Sequence, residues 1–283
     1  MWQDPGLVDR GETVRNDAAQ IAALWASPRA RVLAVSGDGR VAYAPQGGLL
    51  LHRPPAERDP RHLFAGLVDG SPVFVETGAD LPDAPTLREV MDGLGTADLQ
   101  LAFLAVGLAD WHRRAVHCAA CGTPTASFRE GMARLCPGCG VEHYPRTDPA
   151  VIVAITDPDD RLLLGRQPVW AKGRVSVFAG FVEAGESLEQ AVHREVFEEV
   201  GLRLGNPRYL GSQPWPFPRS MMVGFTARAL GTDLALAADE IEEARWFTRE
   251  QLDSALNTGE VTLPMHTSIA YRMITAWREH KLG

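Results

Sequence analysis

The apolar positions of this chain change period along its length. Between Arg31 and Glu76 short apolar runs flank turn residues: Arg31–Ser36 and Arg40–Ala44 around Ser36-Gly37-Asp38-Gly39, then His62–Val68 and Pro72–Glu76 around Asp69-Gly70. Such runs about Gly-containing turns predict two β-hairpins. The spacing then becomes helical, with a short helix over Thr86–Leu94 and a longer one over Thr96–Ala115, where Leu99, Ala102, Phe103, Val106 and Leu108 share a face. After Pro149 strand-like runs return at Val151–Thr156, Arg161–Arg166, Val175–Val182, Arg208–Gln213, Met221–Ala229 and Ala244–Thr248. Helical patterns interrupt them at Leu188–Val200 and at Ser268–His280, where Ile269, Met273, Ile274 and Trp277 align. Strands with a few inserted helices predict a mixed α+β or α/β fold, with a sheet sandwiched by helices. The expected division is an N-terminal α+β domain over 1–115, a cysteine segment over 116–145 and a catalytic-type domain over 146–283.

Composition narrows the class. At 283 residues, 45% hydrophobic and 23% charged, the chain has material for more than one core. No apolar run is long enough to span a bilayer, so no membrane partner is expected. The start, MWQDPGLVDRGE, has neither a basic nor an apolar stretch, and a cytoplasmic protein is the expectation. The net charge of -8 argues against a protein that coats nucleic acid. A polyanionic substrate would be handled locally, by metal ions or a few placed Arg and Lys side chains.

All four cysteines fall in one short segment: Cys118-Ala-Ala-Cys121-Gly and Cys136-Pro-Gly-Cys139-Gly, with fourteen residues between Cys121 and Cys136. Two Cys-x-x-Cys pairs so spaced give four thiolates able to converge as a tetrahedron, and zinc is the expected metal. Four sulfurs close the shell, so its role is structural; the flanking His117 and His143 are read as surface residues. Such ribbons also occur in nucleic-acid-binding proteins. Here the segment between the pairs has only Arg129 and Arg134 as bases, with no basic stripe interleaved with aromatics.

The densest chemistry lies between Gly180 and Leu202. Ser187 and Gln190 form a capping box that starts a helix, and Gly201 is placed to end it. Glu195, Glu198 and Glu199 stand at i, i+3 and i+4 and share one face. Three like charges so placed repel, and a hard divalent cation bound through oxygen, Mg²⁺ or Mn²⁺, offsets that cost. The competing reading is a solvated acidic face. Against it stand the Gly-rich strand-to-helix turn before the helix and Arg194 beside the glutamates.

The stretch matches Gly-x5-Glu-x7-Arg-Glu-U-x-Glu-Glu-x-Gly-U, U being aliphatic, at every fixed position over 23 residues. It resembles the Nudix hydrolases. That resemblance implies an α/β/α sandwich and cleavage of a phosphoanhydride, with Glu195, Glu198 and Glu199 as metal ligands and Glu186 and Arg194 orienting loop and helix. A second stretch, Ser212-Gln213-Pro214-Trp215-Pro216-Phe217-Pro218-Arg219-Ser220, has alternating prolines that hold an extended segment. Taken alone, its aromatics could plug a core or stack on a flat ring. Together with the ribbon and Tyr144-Pro145-Arg146-Thr147-Asp148-Pro149, it is similar to the NADH pyrophosphatase subfamily. This implies hydrolysis of NAD(H) to nicotinamide mononucleotide and AMP, removal of NAD caps from RNA 5′ ends, and a homodimer. It implies that Gln213, Pro214, Trp215, Pro216, Phe217, Pro218, Arg219 and Ser220 line the dinucleotide pocket, with Tyr144 at the adenine end. It adds Glu240 and the Ala179 carbonyl as metal ligands, and Arg88 and Ala270 as further substrate contacts. The subfamily places a Glu near position 131; this chain has Gly131, with Glu130 beside it.

Two other readings stand against this one. The first is a Nudix hydrolase of another dinucleotide, such as ADP-ribose or a diadenosine polyphosphate. The second is a zinc-ribbon nucleic-acid-binding protein with an inactive Nudix domain. Residues 1–115 carry no chemistry of their own and are read as a docking or dimerisation domain.

Overall fold

The computed structural model describes residues 6–282, so the first five residues of the start read above for a leader lie outside the described residues. The described residues gather into two compact units, one holding 6–147 with Pro216–Arg219, the other Asp148–Trp215 with 220–282.

In the first unit the chain runs β1 (Val8–Asp9), α1 (Ala18–Trp25), β2 (Arg31–Val35), β3 (Leu51–His52), β4 (His62–Val68), β5 (Ser71–Thr77), α2 (Leu87–Val90) and α3 (Thr96–Arg114). The sheet order is β1-β4-β5-β2-β3. The β4–β5 hairpin forms where expected, antiparallel from His62 opposite Glu76 to Val68 opposite Ser71. The Arg40–Ala44 run does not become a strand. Val41 makes only an isolated bridge to Val35, and β2 pairs instead in parallel with β5. Helix α1, which the apolar pattern did not announce, is started by Asp17, whose carboxylate accepts the Ala19 and Gln20 N–H groups at 3.0 Å. It seats Ile21 and Trp25 against Val32, Phe64 and Phe74. The ribbon belongs to the same unit: β6 (Ala126–Phe128), β7 (Ala133–Leu135) and β8 (Glu142–His143) form a three-stranded antiparallel sheet.

The second unit runs β9 (Asp148–Thr156), β10 (Leu162–Arg166), β11 (Phe178–Phe181), α4 (Leu188–Val200), β12 (Arg208–Trp215), β13 (Ser220–Arg228), β14 (Glu243–Phe247), α5 (Arg249–Thr258) and α6 (Ile269–Arg278). The sheet order is β12-β13-β9-β10-β14, with β11 beside β9. Only β13 and β9 run parallel. Strand β9 is apolar along almost its whole length because both of its faces are covered. Val151, Val153 and Ile155 pack with Ala191, Val192, Val196 and Val200 of α4. Ile152 and Ala154 face the opposite layer, with Leu252 of α5 and Ile269, Met273, Ile274 and Trp277 of α6. The alternation along one strand thus builds the α/β/α sandwich. Among the described residues no helix is long and apolar enough to cross a membrane.

Candidate active site

Helix α4 begins with the expected capping box: the Gln190 N–H donates to Ser187 Oγ at 3.2 Å, and the Ser187 N–H to Gln190 Oε1 at 2.8 Å. Gly201, at φ 73°, ends it. The apolar face of α4 lies on β9, which aims its glutamates at the preceding loop and at β11. Arg194 ties these parts together. Its guanidinium donates to both Glu186 oxygens at 2.8 Å and to the Phe181 carbonyl at 2.9 Å. It also lies 3.0 Å from Glu195 and 3.0 Å from Glu198. Glu186 further accepts the Glu183 N–H at 3.0 Å. Hydrogen bonds from Arg194, then from the Glu183 amide, hold the Glu186 carboxyl down to about 2.

The carboxylates differ in surroundings. Glu198 is exposed, Glu195 half-buried and Glu199 buried at 3% exposure. Glu199 Oε2 is shut from solvent and has no hydrogen-bond partner. Burial, and then the charges of Glu195, Glu240 and Glu198, push the Glu199 carboxyl up to about 8. Burial also raises Glu195, against the pull of Arg194. Glu240 comes from a loop whose backbone is stitched to the end of α4: the Ala235 N–H donates to the Val200 carbonyl and the Ala237 N–H to the Glu199 carbonyl, each at 3.0 Å. Gly180 is required by close approach, since a Cβ there would overlap the Glu195 carboxylate. Ala179, one residue before, is paired with Ile152 in the β11–β9 ladder. A buried carboxylate oxygen without a donor, in the field of three more carboxylates, fits a divalent cation. The glutamates do not close on one point; among the described residues only the four cysteines bring three or more ligand atoms within 4.8 Å of one another.

The four sulfurs have the spacing that zinc needs. Cys118 and Cys139 lie 3.7 Å apart and Cys121 and Cys136 3.5 Å. Zn–S bonds of ~2.3 Å place tetrahedral sulfurs about 3.8 Å apart. Each knuckle turns on its glycine: Gly122 and Gly140 both have φ 75°, and each donates its N–H to the carbonyl of the first Cys of its pair at 2.9 Å. His143, read above as a plain surface residue, is half-buried, with Nε2 3.2 Å from Cys118 Sγ. An N–H donated there withdraws charge from a thiolate and is a second layer of the metal site. Nothing in the spacing of the sequence marks it.

The remaining predicted residues fall in three settings. Gln213 is fully buried; its Nε2 donates to the Thr267 carbonyl at 2.8 Å and its Oε1 accepts the Ile269 N–H at 2.6 Å, so its amide fixes the start of α6. Ala270 is buried on that helix, while Pro214 is exposed and Trp215 half-buried. Phe217 meets Arg88, 4.8 Å from guanidinium to ring centre, and meets Phe103 edge-on at 6.4 Å. Pro216 and Ser220 are buried, Arg219 is half-buried and Pro218 exposed. Tyr144 is 55% exposed and donates its hydroxyl to the Glu142 carboxylate. In the ribbon, a Cβ on Gly131 would press into Leu63, and the neighbouring Glu130 is held by Arg58.

Residues 146–265 match the NUDIX domain family and residues 113–144 the NADH pyrophosphatase zinc ribbon domain. The protein named NAD-capped RNA hydrolase NudC of Mycobacterium bovis is 40% identical over 296 residues, which span 95% of this chain and 92% of that one. The protein of the same name from Stutzerimonas stutzeri is 40% identical over 77% of this chain and 78% of its own length. That of Deinococcus radiodurans is 47% identical over 59% of this chain and 60% of its own. With a glutamate helix and a cysteine ribbon that both match in sequence and in place, and a relative alike along nearly its whole length, the chain belongs to the Nudix hydrolases, in the NudC family.

Proposed function

We propose that the chain hydrolyses the pyrophosphate of NAD(H) to nicotinamide mononucleotide and AMP, and cuts the same bond in NAD-capped RNA, releasing nicotinamide mononucleotide and leaving a 5′-monophosphate end. The observation that carries this reading is the buried Glu199 carboxylate, whose Oε2 has no donor, in the field of Glu195, Glu198 and Glu240. It stands in a chain 40% identical to a NAD-capped RNA hydrolase over nearly its full length.

In this reading Glu195, Glu198, Glu199, Glu240 and the Ala179 carbonyl hold Mg²⁺ or Mn²⁺. Divalent cations there supply charge neutralisation at the phosphoryl oxygens and a lowered pKa for the attacking water. Glu186 and Arg194 are positioning residues. The Arg194 fork binds the loop carboxylate, the Phe181 carbonyl and two α4 glutamates at once, so the loop and helix keep one geometry. The buried Gln213 sets the first turn of α6, on which Ala270 sits. Trp215, Phe217 and Tyr144 offer flat rings for the base and nicotinamide, with Arg88, Pro214, Pro216, Pro218, Arg219 and Ser220 shaping the pocket. Zinc on the four cysteines is structural. The work is divided among 1–115, 116–145 and 146–283, in a cytoplasmic homodimer.

A side-by-side rate comparison on NADH, NAD⁺, ADP-ribose and NAD-capped RNA tests the reading. NADH should yield AMP and reduced nicotinamide mononucleotide, and capped RNA a 5′-monophosphate end. If ADP-ribose is the much better substrate, the specificity assigned here is wrong.

A further inference from the structure

Within the N-terminal unit lies an open cleft of about 640 Å³ between the first sheet and the ribbon. Arg15, Arg58 and Arg129 line it, with Asn16, Asp59 and Glu130. On a chain of net charge -8, three arginines against two carboxylates make a locally basic surface. Both carboxylates are already engaged. Asp59 accepts the Arg61 N–H at 2.7 Å and its Nε–H at 3.1 Å, and Glu130 is paired with Arg58.

The arginines are not satisfied to the same degree. The Nε of all three is buried without an acceptor. Arg129 has one ion pair, a loose 3.5 Å contact to Glu142, and its side chain is 35% exposed. The Arg58 side chain is 26% exposed. Each guanidinium lies over a ring: Arg15 over Phe64 at 5.1 Å, Arg58 over Phe74 at 5.2 Å and Arg129 over Phe128 at 5.6 Å. Arg15 is pinned from behind by the Phe64 carbonyl at 2.6 Å. Burial lowers it only to about 10, so it stays charged at neutral pH. Arg129 and Glu130 have φ of 47° and 56°, a left-handed backbone that non-glycine residues hold only where the surroundings enforce it.

We propose that this cleft is a second anion site that takes a phosphate oxyanion, with Arg58 and Arg129 as the ligating forks and Arg15 as a fixed charge behind them. Guanidinium forks match phosphate oxygens two at a time, and one phosphate can serve several donors that a single carboxylate cannot. The phosphate can belong to a small phosphate ester or to the phosphodiester chain of an RNA. The inference uses none of the residues assigned to the hydrolytic site.

The test uses the full-length, zinc-loaded protein. Inorganic phosphate is titrated calorimetrically, and a short labelled 5′-hydroxyl RNA by fluorescence anisotropy at two salt concentrations. Arg129→Gln should weaken binding about tenfold, the worth of one charge-assisted fork. It should also flatten the salt dependence of RNA binding by about one phosphate contact. Glu199→Gln should leave both unchanged, which separates this site from the hydrolytic one. RNA bound far tighter than phosphate assigns the cleft to a phosphodiester chain; RNA bound no tighter assigns it to a small phosphate ester. The proposal is overturned if wild type binds neither probe, or if folded, zinc-containing Arg129→Gln and Arg58→Gln bind both probes as wild type does.

Discussion

Burial of Glu199 governs how the site behaves without a divalent cation. Its carboxyl titrates near 8 in the folded chain, against an ordinary value of 4.5. Between those values the folded state binds more protons than the unfolded one, so rising pH erodes stability across this window. We expect the melting temperature of protein freed of Mg²⁺ and Mn²⁺, but keeping its zinc, to fall from pH 5 to pH 8. Adding Mg²⁺ should restore it. Glu199→Gln should flatten the dependence, since the amide carries no charge to desolvate, while lowering kcat by about 10²–10⁴-fold. A Gln variant with the wild-type pH slope, or with full turnover, contradicts the role given to this residue.

At the scale of elements, the join between α4 and its preceding loop rests on Arg194 and Glu186. The Glu186 carboxyl is depressed to about 2. Its contribution is therefore complete above the ordinary carboxylate value of 4.5 and is lost as pH falls from there toward 2. Hydrogen exchange of the amides from Glu183 to Ser187 should stay slow down to about pH 4.5 relative to the intrinsic rate, then rise. Arg194→Gln should make these amides fast at neutral pH while α4 itself stays protected; unchanged protection would mean that the loop is held by something else. Parts of this join were legible in the sequence because they are local: a capping box, glutamates on one helical face and an arginine beside them; the tie between Glu186 and Arg194 was implied by the resemblance alone. The β4–β5 hairpin and the strand-like run of β9 were likewise legible as local patterns. Helices α1 and α5 were not. Among the residues of α5 only Leu252 and Ala255 are buried, too few to set a period. The Val175–Val182 run was read as one strand, but only Phe178–Phe181 joins the ladder. Val175 donates instead to the Thr262 carbonyl, and Ser176 exchanges hydrogen bonds with Gly165. Such long-range partners leave no local trace, and neither do the Gln213 bonds to the start of α6 nor the His143 contact with Cys118.

The division of the chain into two compact units gives the zinc a consequence for the whole molecule. The ribbon has strands of three, three and two residues. Its buried positions are few: Cys118, Thr125, Gly131, Ala133 and Cys136. So small an apolar set cannot hold a fold, and a structural zinc, worth ~10–16 kcal/mol in isolated finger peptides, does what a core otherwise would. The ribbon is also bonded into its unit: His112 lies 2.8 Å from the Gly131 carbonyl and 2.9 Å from Arg134, whose Nε donates to Thr125 at 2.7 Å. Loss of metal should therefore lower the stability of the first unit as a body and spare the second, whose sheet owes nothing to the cysteines. In scanning calorimetry we expect Cys136→Ser, with zinc absent by elemental analysis, to shift one transition down by roughly 10 °C or more, since a loss of 1 kcal/mol alone moves a domain of this size by a few degrees. The other transition should stay in place. If both units shift together, they unfold as one cooperative body. If neither moves while the zinc is gone, the cysteines are not a structural site.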